Sequence, residues 1–206
     1  MATFTNYTDY TARMIAELPM VSPQVILQEM QKAGVQFFKA SGVWTQFLSV
    51  MNIVANQAAY TLTVPAMSQL FQIEQVVLNY TPTVNPFDTI PPTDPMNYYL
   101  SDDQTQLIFH TTSIPSTSVT GGMQIRVMLI PTWDATGVPS CFINRYAEGI
   151  MARTKYNLFS MARKPWSDPH GAQRALIDYN KEMSEAARDK YCGNINQSSV
   201  MAIPSL

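Results

Sequence analysis

Two histidines, two cysteines and one adjacent pair of aspartates are the residues best able to do chemistry in this chain of 206 residues. A hydrolytic nucleophile needs a base at hydrogen-bonding distance, most often histidine. His110 closes a strand pattern, Gln106 to His110, and reads as a structural residue. His170 follows Asp168-Pro169 in the first turn of a helix pattern and reads as a surface residue. Zinc needs clustered cysteine and histidine, and a disulfide scaffold needs more cysteines than Cys141 and Cys192. Both read as idle thiols. Asp102-Asp103 has the composition of a metal or acid/base pair, but it sits between a tyrosine-rich run and a strand and reads as a turn. Gly121-Gly122 has no Lys-Ser/Thr after it, so no phosphate-cradling loop is present, nor is a Gly-x-Ser-x-Gly elbow. The expectation is a protein that is not an enzyme, with no catalytic residue, no cofactor and no metal.

The elements that would carry these residues fall into zones. A short helix starts near Asp9, turns Met14, Ile15 and Leu18 to one side, and stops at Pro19. Ser22-Pro23 has the form of an N-cap followed by proline in the first turn, and Ile26, Met30, Ala33, Phe37 and Ala40 then recur every three or four residues up to Gly42. From about Val43 the pattern turns to β-structure. Tyr60 to Val64 alternates and ends at Pro65, Phe71 to Leu78 is a second strand, and Gln106 to His110 a third. Gly121-Gly122 marks a turn before Met123 to Pro131, which is apolar on both sides and predicts a central strand. The proline-rich stretch Thr81 to Pro95, with Pro86, Phe87, Pro91 and Pro92, cannot pair as a central strand and predicts a long exposed loop.

Pro139 then opens a helix with the stripe Phe142, Ile143, Tyr146, Ile150, Leu158 and Met161. Lys164-Pro165-Trp166 breaks it, and Ser167 or Asp168 caps a second helix with Pro169 in its first turn. The second stripe is Ala172, Leu176, Tyr179, Met183 and Ala186, ended by Gly193. Tryptophan at the break supplies a packing surface, expected to face the protein's own core. The fold class is therefore α+β: a helical bundle with an inserted antiparallel β-domain and a long C-terminal helical hairpin. The expected divisions are 1–42 for the first helical segment, 43–138 for the β-domain with its loop at 81–95, 139–193 for the hairpin, and 194–206 for an extended arm.

Charged residues make up only 14 % of the chain, against about 25 % in ordinary soluble domains, a sign of surface buried against partners. From Val43 to Val138 one base faces six acids; from Pro139 to Lys190 nine bases face six acids. The bases of the hairpin are interleaved with Glu148, Asp178, Glu182, Glu185 and Asp189, and Lys181 and Glu185 stand four apart. That pattern predicts a salt-bridged face rather than an element that reads nucleic-acid sequence. No window approaches a membrane span, and Met1 to Tyr7 has no signal-peptide character, so synthesis in a cytoplasm and no membrane association are expected.

Several stretches resemble phage head-to-tail adaptors, also called connector or neck proteins. They are Arg145 to Ala152, Leu158 to Pro169 with its Lys164-Pro165-Trp166-Ser167-Asp168-Pro169 joint, Ala172, and Glu185-Ala186-Ala187-Arg188. Upstream, Ser41-Gly42-Val43-Trp44 and Tyr60-Thr61-Leu62 with Pro65 are similar to that family's entry into its β-domain, and Ile125 to Pro131 to its last strand. The element order is also similar to podoviral tail tubular A proteins. The resemblance covers about Ser22 to Arg188. It implies a ring of about twelve copies in the virion neck, between capsid and tail, docked on the portal protein and receiving the tail nozzle or tail tube, possibly with tail fibres. Double-stranded DNA would pass through its lumen without sequence-specific binding. The arm residues Asn194, Ile195, Val200, Met201, Ile203 and Leu206 would enter portal clefts, and Pro86, Phe87, Pro91 and Pro92 would face the tail. Two other readings compete: a tail-tube, nozzle or fibre-attachment component of the same virion, and a cytosolic non-catalytic binding module.

Overall fold

The computed structural model describes residues 4–78 and 98–191. The chain is an α+β protein with the element order β1 (Phe4–Asn6), α1 (Thr8–Glu17), α2 (Pro23–Ser41), β2 (Thr45–Phe47), β3 (Met51–Ile53), β4 (Ala59–Thr61), β5 (Ser68–Leu78), β6 (Tyr98–Leu100), β7 (Gln106–Phe109), β8 (Val119–Pro131), β9 (Gly137–Pro139), α3 (Ser140–Phe159) and α4 (Pro169–Tyr191). It divides into two compact units: residues 1–44 with 131–206, and residues 45–130. The sequence placed the second division at 138. Residues 131–138 belong with the helices because β9 pairs antiparallel with β1, Phe4 opposite Pro139 and Asn6 opposite Gly137.

In the helical unit, the ends of α2 follow from local chemistry. Ser22 has extended backbone, and its hydroxyl accepts the Val25 N–H at 3.4 Å. Gly42 closes the helix in the left-handed region at φ 63° and donates its N–H to the Phe38 carbonyl at 2.9 Å. Ile26, Met30, Ala33 and Phe37 are buried, whereas Ala40 is exposed, because it lies in the last turn where the stripe has rotated off the core. The core is a run of aromatic rings. Phe38 meets Trp44 at 5.6 Å and Phe142 at 5.7 Å between centroids, and Phe37 meets Tyr146 at 5.7 Å and Tyr179 at 6.3 Å. Helix α3 kinks at Tyr146, whose φ of −118° and ψ of 15° leave the helical region.

Helix α3 ends at Phe159, earlier than the Lys164-Pro165-Trp166 break read from the sequence, and Met161 therefore lies past the helix, half-buried. Proline forbids helix only from the residue before it, and the chain turns five residues sooner to form the joint. On α4 the inner stripe is Ala172, Ala175, Tyr179, Ala186 and Asp189, with Leu176 and Met183 half-buried at its edge.

In the β unit, β8 is the central strand. β2 pairs along it from Thr45 opposite Met128 to Phe47 opposite Arg126, and β3 from Met51 opposite Met123 to Ile53 opposite Val119. The Leu48 N–H to Ile125 carbonyl bond joins the two pairings, and β5 also pairs with β8. Met128, Leu129 and Ile130 are buried in succession, as a strand covered on both faces requires. Gly121-Gly122 is not a turn. β8 runs through it, and the register with β3 shifts there. Gly121 takes φ +63° and donates its N–H to Asn52 Oδ1 at 2.7 Å, while a Cβ on Gly122 would lie 2.7 Å from the Val119 side chain. The glycines make a bulge because only they fit it.

A second sheet orders β4, β7 and β6, with Ala59 opposite Ile108 and Leu100 opposite Leu107. The strand expected at Tyr60 to Val64 is limited to β4, and Leu107 and Phe109 face inward. His110 lies past β7 and exposed, heading a 3-10 turn at Thr111–Ser113, so it is not a strand residue. Arg126 and Glu74 form an ion pair at 3.1 Å. The proline-rich loop with Pro86, Phe87, Pro91 and Pro92, Cys192, the expected stop at Gly193, and the arm from Asn194 to Leu206 lie outside the described residues.

Candidate functional site

The joint between α3 and α4 is built by hydrogen bonds that close on themselves. The Asp168 N–H donates to the Phe159 carbonyl at 3.1 Å, and the Ser167 N–H to the Lys164 carbonyl at 3.0 Å. Asp168, rather than Ser167, caps α4: its Oδ1 accepts the His170 N–H at 3.1 Å, and its carbonyl accepts the Ala172 N–H at 2.9 Å. Pro169 fills the first helical position, where its missing N–H costs nothing. Pro165 and Lys164 are exposed. Trp166, expected in the core, is half-buried; its indole N–H is covered and has no hydrogen-bond partner among the described residues, and Lys164 Nζ stands 5.8 Å from its ring. Arg163 adopts φ +60°, a left-handed conformation that residues other than Gly, Asn and Asp seldom take.

Beside the joint, a cavity of about 600 Å³ opens between the end of α1, α3 and α4. Phe159 and Gly171 reach it from the joint, and Glu17, Lys155, Asp178 and Glu182 are among its charged lining. Lys155 pairs with Glu17 at 2.5 Å. Burial raises the Glu182 carboxyl above the ordinary carboxylate range, and Glu185 and Glu148 push it the same way against the pull of Lys181. The sequence did not bring this groove together, because its residues come from three helices and share no spacing.

The charged face of the hairpin is internally paired. Arg13 meets Glu148 at 2.9 Å, and Arg145 meets Asp189 at 2.7 Å. Tyr146 donates to the same Asp189 carboxylate at 2.9 Å. Arg153 donates to Gln36 at 2.7 Å and lies between the rings of Tyr156 and Tyr179, 4.9 and 5.0 Å from their centroids. Apart from Arg153 over Tyr156, which lies within α3, these contacts join different helices, whereas the i,i+4 pair Lys181 and Glu185 is not among the ion pairs found in the described residues.

His170 is exposed on the first turn of α4, and Cys141 is a free cysteine on an exposed residue at the start of α3, its thiol raised above the ordinary value by partial desolvation. The Asp102-Asp103 pair forms a turn. Asp103 accepts from the Ser101 hydroxyl at 2.5 Å, the Thr105 hydroxyl at 2.7 Å and the Thr105 N–H at 3.1 Å, and these bonds lower its carboxyl to about 2. Among the described residues no group of three or more His, Cys, Asp or Glu could hold a metal, and no helix is long and apolar enough to cross a membrane. Compared with models of protein families and with curated proteins, the chain matches none.

Proposed function

We propose that this chain is a structural head-to-tail adaptor of a phage virion, a non-catalytic protein that assembles as a ring beneath the portal, extends the DNA channel and receives the tail. One observation carries the reading. A β unit is inserted between helices of one bundle, and the last two helices form a hairpin turned by a self-closed Arg-Lys-Pro-Trp-Ser-Asp-Pro joint. The joint and the hairpin are among the segments on which the adaptor resemblance rests. A hairpin whose turn is closed by its own hydrogen bonds suits a ring subunit, because ring closure demands the same geometry at every interface. The low charged fraction of the chain is consistent with surface destined for partners.

The test mixes the purified chain with the portal ring of the same virus and, separately, with its tail tube, each with full-length protein and with a form lacking 194–206. Capture on the portal by the full chain and its loss in the shortened form support both the adaptor and the docking role of the arm. Capture by the tail tube without the portal moves the protein to the tail, and capture by neither refutes the assignment.

A further inference from the structure

The cations of the helical unit that lack an acid partner among the described residues differ in how they are held. Arg163, Arg174, Lys181 and Arg188 are exposed, and no ion pair or ring fixes them there. Lys164 is exposed over one ring. Arg153 is half-buried and gripped from three helices. Its Nε donates to Gln36 Oε1 on α2 at 2.7 Å, and its Cζ stands 4.9 Å from the Tyr156 ring centre on α3 and 5.0 Å from that of Tyr179 on α4. Its two Nη nitrogens donate to no described residue, yet neither is closed off from solvent. A guanidinium stacked on rings and fixed at one edge presents its remaining N–H fork pre-organised, in the geometry that matches a carboxylate.

Tyr179 ties this fork to a second feature. Leu176 lies three residues before it and Met183 four after, on the same flank of α4. With Ile177, Asn180 and Ala187 they form a strip that carries no charge. Ile177 is 63 % exposed at its outer edge, and Leu176, Met183 and Ala187 are half-buried. The charged residues interspersed with them in sequence, Arg174, Asp178, Lys181 and Glu182, line the groove on the other flank. The strip therefore offers apolar contact but no acid for Arg153.

We propose that Arg153 and the strip from Leu176 to Ala187 form a docking surface for a polypeptide partner that presents one carboxylate among apolar side chains. The carboxylate takes the two Nη donors, and its apolar neighbours cover Leu176, Ile177 and Met183. The inference goes beyond the adaptor reading and does not depend on it. Duplex DNA is the less favoured occupant, because phosphate binding draws on a row of cations, whereas the surface beside Arg153 is uncharged and apolar.

The experiment is NMR titration of the full chain with the peptide acetyl-Ala-Leu-Glu-Ile-Ala-amide, with its glutamine counterpart acetyl-Ala-Leu-Gln-Ile-Ala-amide, and with a short DNA duplex. The signals followed are the Arg153 Nε–H and the methyl groups of Leu176, Ile177 and Met183. The glutamate peptide should shift both sets together, and the glutamine peptide should bind about ten-fold more weakly, the size of one charge-assisted hydrogen-bonded contact. Arg153→Lys keeps the charge and loses the fork, and should weaken the glutamate peptide by a similar factor while leaving the glutamine peptide unchanged. Ile177→Asp, at an exposed position that leaves Arg153 and its rings intact, should weaken the glutamate peptide more than the glutamine one; it decides the matter if the lysine variant fails to fold, which far-UV circular dichroism checks. The proposal is overturned if the glutamate peptide shifts neither set, if the two peptides bind equally, or if Ile177→Asp binds the glutamate peptide like the natural chain. DNA that shifts the Arg153 signal where the glutamate peptide does not assigns the fork to phosphate and overturns it too. The portal capture test is unaffected by any of these outcomes, so the two ideas fail separately.

Discussion

In the helical unit, Phe37, Phe38, Trp44, Phe142 and Tyr179 come from distant parts of the chain and pack ring against ring. In the β unit, many of the polar contacts that set the shape lie within a few residues or across one bulge. Asp103 holds its own turn, Tyr60 bonds the Val54 backbone, and Asn52 supports Gly121. Five of the unit's strands have only three or four residues, too short to order themselves. The exposed Val50, Val54, Met67 and Tyr99 also belong to this unit. The contrast teaches where each unit is fragile: the helical unit through side-chain volume, the β unit through backbone conformation.

Trp44→Ala should be the most damaging change of those considered. Removing a fully enclosed ring from the aromatic run costs about 3–5 kcal/mol, measured by denaturant unfolding followed by circular dichroism. A loss under about 1 kcal/mol would break the packing account of this unit.

Gly34→Ala comes next. Its Cβ would collide with the hydroxyl of Tyr7, which is buried and lacks a hydrogen-bond partner among the described residues. The expected cost is about 1–3 kcal/mol. Tyr7→Phe removes that unpartnered hydroxyl and should raise stability by about 1 kcal/mol. In the double variant the cost of the alanine should shrink, which a double-mutant cycle reads directly.

In the β unit, Gly121→Val puts a branched side chain at φ +63° and should cost about 1–2 kcal/mol without any loss of buried volume. Hydrogen exchange should show the damage confined to β3 and β8, with the helices protected as before.

The smallest effect is the pH response of Asp103. Its carboxyl is lowered to about 2 by the Ser101 and Thr105 hydroxyls and the Thr105 N–H. A depressed folded value means the carboxylate's contribution is present above the ordinary carboxylate range and disappears as pH falls through about 2. Asp103→Asn should therefore weaken the turn at neutral pH and match the natural protein only once the pH is below about 2. NMR titration of the Asp103 carboxyl checks the midpoint.

Which parts were legible in the sequence follows from the same contrast. Ser22, Pro23 and Gly42 act through their own backbone, so the limits of α2 could be read residue by residue. Asp168 and Pro169 announced α4 in the same way. The apolar run of β8 was visible because a strand covered on both faces needs no alternation. β1, β2, β3, β6 and β9 were not, because three residues carry no period and their pairing is decided by distant partners. Gly121-Gly122 carried a true signal of positive φ, but a turn and a bulge ask for the same residue. At the joint, proline and tryptophan marked the place, while the left-handed Arg163 gave no sign, since arginine has no preference for that conformation. The groove beside it stayed hidden for want of any shared spacing among Glu17, Glu148 and Asp178.

The most direct test of the central claim is negative-stain imaging of the same virus's portal ring after incubation with the full chain. The adaptor account predicts one added ring on a single end of the portal, coaxial with its channel. Portals that look the same with and without the protein would contradict it.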